Sequence, residues 1–216
     1  MNDITEIKRL PSPAPKPQSL AWDGSTLWMG SMTTRHLYQI DPAKWEVRWE
    51  TVAPGVPFGM TWIGDELRVL CGEGPDDHRM IRRCQPGSGF DPEFGIPCPD
   101  DTGSQLGYNG QQLHVSQWYR QLVLALDETG QIVRTLSVPH QICGQVHVEG
   151  RIYLLTTDDE STNDYWLTRI QFEGDRAVIE DLARIPFPAR ALAFDGRHFW
   201  TNHRERHEMV CFARPD

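Results

Sequence analysis

His203, Arg190, Asp158 and Cys143 are the side chains of this sequence best suited to acid–base or nucleophilic chemistry. A histidine titrates near neutral pH, so His203 can act as a general base or acid. Asp158 or Glu73 is a partner to orient its ring. A thiolate at Cys143 could attack an electrophile if a neighbouring cation, such as Arg190, lowered its pKa. The same cysteine also reads as a small, well-packed core residue. Arg190 and Arg35 suit an anionic or carbonyl oxygen, because a guanidinium presents a rigid fork of donors. Gln18, Glu73 and Trp118 complete the set as substrate-binding residues. The tryptophan supplies an apolar wall and the polar residues fix orientation.

Other chemistries have less support. His203 and His207 are four apart, but they lie in a loop or strand start, where helical chelation of zinc does not apply. Glu73, Asp76 and Asp77 lack the twelve-residue calcium-loop pattern. There is no phosphate-binding GxxxxGK[ST] loop and no GxSxG elbow. No cofactor and no metal ligand is therefore assigned, and a divalent metal at the centre of the fold is left open. The formal net charge of −9 argues against nucleic acid. No apolar run is long enough for a membrane helix. Five cysteines, an odd number without a CxxC pair, predict free thiols and a reducing, cytoplasmic setting. Residues 1–10 show no basic start followed by an apolar run, so no secretory signal is read there. A monomer acting on a small molecule is expected.

The elements that must position these residues come from a repeat. An apolar-alternating run, a turn ending in glycine and a second apolar run recur from Ser19, Gly59, Gln105, Gln145 and Ala191. The turn glycines Gly24, Gly64, Gly110, Gly150 and Gly196 recur every 40 to 46 residues. Asp-Gly and Asn-Gly supply the positive φ of tight hairpins, so each motif predicts strands A and B of a unit. A third strand follows each hairpin, and a fourth follows in four units. The fifth unit stops after its third strand, while ITEIKRL near the N-terminus resembles the other fourth strands. Four-stranded antiparallel units at this period predict an all-β, five-bladed β-propeller. It forms a single domain over residues 1–216, with blades from about 17, 57, 103, 143 and 189. Residues 1–10 are expected to close the last blade and so remove the ring's open edges. Leu20, Met60, Leu106, Val146 and Leu192, with Trp22, Trp62, Tyr108, Val148 and Phe194, should pack between blades.

Leu20-Ala21-Trp22-Asp23-Gly24 with Leu27-Trp28, and Leu37-Tyr38-Gln39-Ile40-Asp41-Pro42, resemble the blades of the SMP-30/gluconolactonase, virginiamycin B lyase and glutaminyl cyclotransferase propellers. The resemblance spans nearly the whole chain and implies the propeller fold. The calcium constellation of the first family, Glu, two Asn and Asp at inner-strand starts, is not matched here, where the five such positions hold Gln18, Phe58, Ser104, Gly144 and Arg190.

Antiparallel blades put the loops leading into strand A and the B–C loops on one face. The former are proline-rich; the latter are polar and differ in every blade. Two acidic loops, one aromatic loop and two with His and Arg would thus surround one channel mouth. The reading is a small-molecule hydrolase or ring-opening lyase with one site there. The alternative is a lectin-like or partner-binding propeller without chemistry.

Overall fold

The hairpin turns form as their residues dictate. All five turn glycines have positive φ, from 64° at Gly64 to 97° at Gly24. Asp23, Asn109 and Asp195 lock their turns by accepting the backbone N–H groups two and three residues on. In two hairpins the other carboxylate oxygen also accepts an indole N–H: Trp28 to Asp23 at 2.8 Å, and Trp200 to Asp195 at 2.9 Å. The WDGSTLW-type motif therefore fixes a turn and an inter-blade aromatic together.

The structure is a computed structural model and describes residues 1–215. Strand β1 (Glu6–Pro11) precedes the ring. Blade 1 is β2 (Pro17–Trp22), β3 (Leu27–Ser31), β4 (His36–Asp41) and β5 (Glu46–Val52). Blade 2 is β6 (Val56–Ile63), β7 (Glu66–Glu73) and β8 (His78–Gln85), edged by β9 (Gly89–Phe90) and β10 (Ile96–Pro97). Blade 3 is β11 (Gln105–Tyr108), β12 (Leu113–Gln117), β13 (Leu122–Leu126) and β14 (Ile132–Ser137). Blade 4 is β15 (Gln141–Val148), β16 (Arg151–Thr157), β17 (Tyr165–Glu173) and β18 (Arg176–Ile185). Blade 5 is β19 (Ala189–Phe194), β20 (His198–His203) and β21 (Glu208–Ala213), with β1 as its fourth strand. The helical content of the described residues is one 3-10 turn, Pro99–Asp101. The chain is a five-bladed β-propeller.

The outer edge of blade 2 departs from the expected continuous fourth strand. It is split into two short pieces, both paired with β8. Pro92 lies between them and offers no N–H to a ladder, and Asp91 turns the chain by accepting the Glu93 N–H.

Closure uses more of the N-terminus than one strand. β1 pairs antiparallel with β21, from Glu6 opposite Phe212 to Pro11 opposite Glu208. Upstream, the Ile4 N–H donates to the Arg184 carbonyl at 2.8 Å, and the Arg184 N–H donates to the Asn2 carbonyl at 2.9 Å. The N-terminus therefore ties blade 5 to blade 4, and Ile4 is buried between them.

The core consists of five apolar clusters, one per blade interface. Adjacent residues of a central strand serve opposite interfaces, as period-2 alternation requires. Val69 faces blade 1 and Leu70 faces blade 3; Tyr153 faces blade 5 and Leu154 faces blade 3. Leu20, Met60, Leu106 and Leu192 are all in these clusters, as their spacing predicts. Inner strands β2, β6, β15 and β19 each carry a register shift near their start. Such bulges re-aim side chains, here at the level of the channel mouth.

Candidate functional site

Arg190 is the centre of the mouth. It follows the first residue of β19, at that strand's register shift, and it is 5 % exposed. Its guanidinium carbon lies 4.2 Å from the centre of the Trp118 ring. One terminal nitrogen donates to Glu160 Oε2 at 2.5 Å; the other reaches the Tyr165 hydroxyl at 3.4 Å and the Ala189 carbonyl at 3.3 Å. Trp118 is itself held by its indole N–H, which donates to Gln141 Oε1 at 2.6 Å. Side chains from blades 3, 4 and 5 thus meet over the start of blade 4.

A cavity of about 180 Å³ opens beside this cluster, and Gln18, Phe58, Arg79, Ser104, Tyr119 and Arg204 also line it. Gln18 is 6 % exposed. Its amide nitrogen donates to the Phe58 carbonyl at 3.4 Å, while its Oε1 has no partner. A buried amide oxygen without a donor is costly, and this one is enclosed. A second hollow of about 290 Å³ shares Glu160, Arg190 and Arg204 and adds Lys16, Tyr165 and Glu205.

Two further cations reach the cavity. Arg79 stacks on Phe58, its guanidinium carbon 3.6 Å from the ring centre, and its Nε donates to the Gly103 carbonyl at 3.2 Å. Gly72 makes the space: a Cβ there would lie 2.5 Å from the Phe58 ring and 2.6 Å from the Arg79 guanidinium. Arg204 approaches Met32 Sδ at 2.9 Å. Burial draws the pKa of both arginines down from the usual value, and the nearby Arg190 charge adds to this at Arg204.

The remaining sequence candidates sit elsewhere. Cys143 is fully buried beneath Arg190. Burial pushes its thiol up to about 12, against the pull of the Arg190 charge, so packing outweighs activation. Asp158 orients a histidine, but the histidine is His140, whose Nδ1 lies 2.6 Å from Asp158 Oδ1. Its Nε2 is 3.4 Å from Asp181, and its ring packs on Trp166. Both carboxylate oxygens of Glu73 accept from Arg82, at 2.7 and 2.8 Å. Arg35 is exposed on the B–C turn of blade 1.

His203 stacks on Phe187, with ring centres 5.3 Å apart and planes 9° apart. Its Nδ1 accepts the Arg206 N–H at 3.3 Å, as Ser31 Oγ accepts the Thr34 N–H at 3.2 Å in blade 1. The last residue of strand B holds the B–C corner, and His203 fills that structural position. Burial, then the Arg206 and Arg9 charges, push its pKa down.

Of the candidates, the structure brings together Gln18, Trp118 and Arg190, with Cys143 packed behind them. Glu160, Arg204, Arg79 and Phe58 join them. Glu160 and Arg204 lie one residue beyond Asp159 and His203 in the polar B–C loops, so loop position was their sequence signal. Arg79 is the second residue of β8, and its signal is the small Gly72 opposite it in the register.

Among the described residues, Asp195, His198 and Cys211 form the one group of three with metal-ligand atoms within reach of each other. It lies at the hairpin end of blade 5, and the Asp195 carboxylate there is engaged by its turn and by Trp200. No helix is long and apolar enough to cross a membrane among the described residues.

The fold defines a class, the five-bladed β-propellers, and the cavities described lie at the starts of its inner strands. Among solved structures, the chain is similar to the PQQ-bound aldose sugar dehydrogenase of Streptomyces coelicolor. The two share 11 % identity over 98 % of each chain, with a TM-score of 0.58. It is similar to virginiamycin B lyase of Staphylococcus aureus, solved in a catalytically inactive form with quinupristin. Identity there is 14 % over 95 % of this chain and 83 % of that one, with a TM-score of 0.57. It is also similar to glutaminyl cyclase of Myxococcus xanthus, at 15 % identity over 71 % and 93 % of the two chains, with a TM-score of 0.53. At these identities the likeness concerns the fold. No protein-family model matches the sequence, and no curated protein is similar to it.

Proposed function

We propose that this propeller binds one small molecule at the channel mouth and acts on it as a hydrolase or lyase. The observation that carries the reading is Arg190. It is a buried guanidinium held between an indole face and a carboxylate, at the wall of a cavity that Gln18, Arg79 and Arg204 also line. A pocket with apolar walls and a few convergent polar groups is the usual form of a small-molecule site. In this reading Arg190 holds a substrate oxygen and Glu160 transfers the proton. That the fold also serves a dehydrogenase, a lyase and a cyclase is consistent with chemistry but assigns none.

A second reading, binding without turnover, has its own support. Cys143 is too buried and too weakly acidic to be a nucleophile, and His203 is built into a corner. That leaves Glu160 as the one carboxylate among the residues lining the cavity.

The experiment is a thermal-shift screen of small molecules, followed by calorimetry and product analysis on the hits. One site per chain, weakened about 10²-fold in Arg190→Ala, is expected, on the scale of losing a charged hydrogen-bonding group. Product formation from the bound ligand separates the enzyme from the binder. A stoichiometry near one ligand per blade rejects the enzyme reading in favour of a repeated, lectin-like binding surface.

A further inference from the structure

The charge at the mouth opposes the charge of the chain. Three arginines, Arg79, Arg190 and Arg204, line one cavity with a single carboxylate, Glu160, in a protein of net charge −9. Glu160 pairs with Arg190. Among the described residues, Arg79 and Arg204 have no carboxylate within salt-bridge distance, although the chain carries 30 acidic residues. Both are half-buried, and their compensation is at longer range, from Asp77 and Asp101 at Arg79 and from Glu160 and Glu205 at Arg204, which leaves their donors free of a direct carboxylate partner. Arg79 is held in place by Phe58 and the Gly103 carbonyl, with Gly72 left open to admit it. Gln18, whose Oε1 is enclosed and has no partner, also lines the same cavity. The apolar wall is Trp118 with Tyr119, whose ring is 82 % exposed beside it.

We infer that the channel mouth is an oxyanion site. It takes a small molecule whose carboxylate or phosphate is held by Arg79 and Arg204, and whose planar or apolar part rests on Trp118 and Tyr119. This rests on the single-site reading above and adds the ligand class. The Glu160 side chain, 52 % exposed, is the one carboxylate lining this cavity and sets how strongly Arg190 adds to the pull on the anion; Glu205 lines the adjoining hollow.

The test is calorimetry at low salt with benzoate, phenyl phosphate and inorganic phosphate, against the neutral benzamide and phenol. Benzoate or phenyl phosphate should bind once per chain and bind about tenfold or more tightly than its neutral counterpart, the scale of a hydrogen bond to a charged group. Added salt should weaken that binding. Arg204→Gln and Arg79→Gln should each weaken it about tenfold or more, with melting temperatures recorded alongside. Arg204 makes no carboxylate pair in the fold, so its variant tests the site even if Arg79→Gln proves unstable. Inorganic phosphate competing with phenyl phosphate would assign the free ion; its failure to compete would assign an ester or carboxylate. Equal affinity for charged and neutral probes, no binding of either aromatic anion at millimolar concentration, or unchanged anion affinity in Arg204→Gln overturns the inference. If a neutral probe binds once and Trp118→Ala abolishes that binding, the single-site reading survives and only the oxyanion is lost. Several equal sites per chain would remove both.

Discussion

The Arg190 guanidinium and the Trp118 ring, 4.2 Å apart, come from blades that are not neighbours in the ring. Trp118 follows the B strand of blade 3, and Arg190 is the second residue of the inner strand of blade 5. The contact is possible because a five-bladed ring brings all its inner-strand starts close to one axis. Replacing Trp118 by Ala should remove the platform on which the guanidinium lies, worth about 1–2 kcal/mol where water is excluded. The expected result is ligand affinity lowered about tenfold or more with the β-sheet signature intact, read by calorimetry and circular dichroism.

His203→Ala tests the opposite expectation. This ring holds a corner and stacks on Phe187, so its loss should cost stability of about 1–2 kcal/mol and leave ligand binding at the mouth unchanged. Chemical denaturation and calorimetry on the same variant check it. A large loss of ligand binding without loss of stability would return His203 to the site.

All five cysteines are free and buried. Burial pushes Cys71, Cys84, Cys98 and Cys143 up to about 12 and Cys211 to about 11. The native protein should therefore resist alkylation at pH 8, and all five thiols should react once it is unfolded. Mass spectrometry after iodoacetamide treatment reads this directly, with Cys143 as the residue to watch.

At the far end of the channel, His147 packs its ring 4.4 Å from His114. Burial holds His147 down to about 3 and lowers His114 as well. Above about pH 6.5 both are neutral, folded or unfolded, and pH has no leverage. Below it, the unfolded chain takes up protons that the folded one refuses, so stability falls as the pH drops. Between pH 6.5 and 4.5, above the usual carboxylate range, these rings and the buried His203 contribute to the fall, while His78, whose pKa the Asp101 hydrogen bond raises, opposes it. Denaturation midpoints across that window should decline in the parent and decline less steeply in His147→Gln.

Deleting residues 1–10 removes most of β1 and the tie to Arg184, uncovers the edge of β21 and takes Ile4 from its cluster. A melting temperature lower by about 10 °C or more, or aggregation through the new edge, is expected. An unchanged melting curve would mean that the ring closes without its clasp. Ile4→Ala alone should cost about 2 kcal/mol or more.

The fold was legible because a propeller is written in local terms. Each hairpin announces itself by Asp-Gly or Asn-Gly at a fixed place, and alternating residues on either side choose an interface by period 2 alone. Leu20, Met60, Leu106 and Leu192 could be assigned to the core from spacing, and ITEIKRL to the closing blade from what the fifth unit lacked. The split edge of blade 2 was less visible, because an outer strand is nearly all exposed and carries little apolar signal.

The site divided along the same line. Gln18, Trp118 and Arg190 follow from topology, since inner-strand starts and B–C corners must surround the axis. Whether a corner residue turns inward or caps its own turn depends on register shifts and on what fills the neighbouring blade. His203 finds Phe187 and the Arg206 N–H, and Asp158 finds His140, whereas Glu160, next but one after Asp158 in the same loop, reaches Arg190. Arg79 enters because Gly72 leaves room opposite it. The sequence by itself determined the blades, their closure and the face that carries the mouth, because those depend on turns and alternation. Only the tertiary structure decided which charges meet there, because that depends on side-chain directions set across blades far apart in the chain.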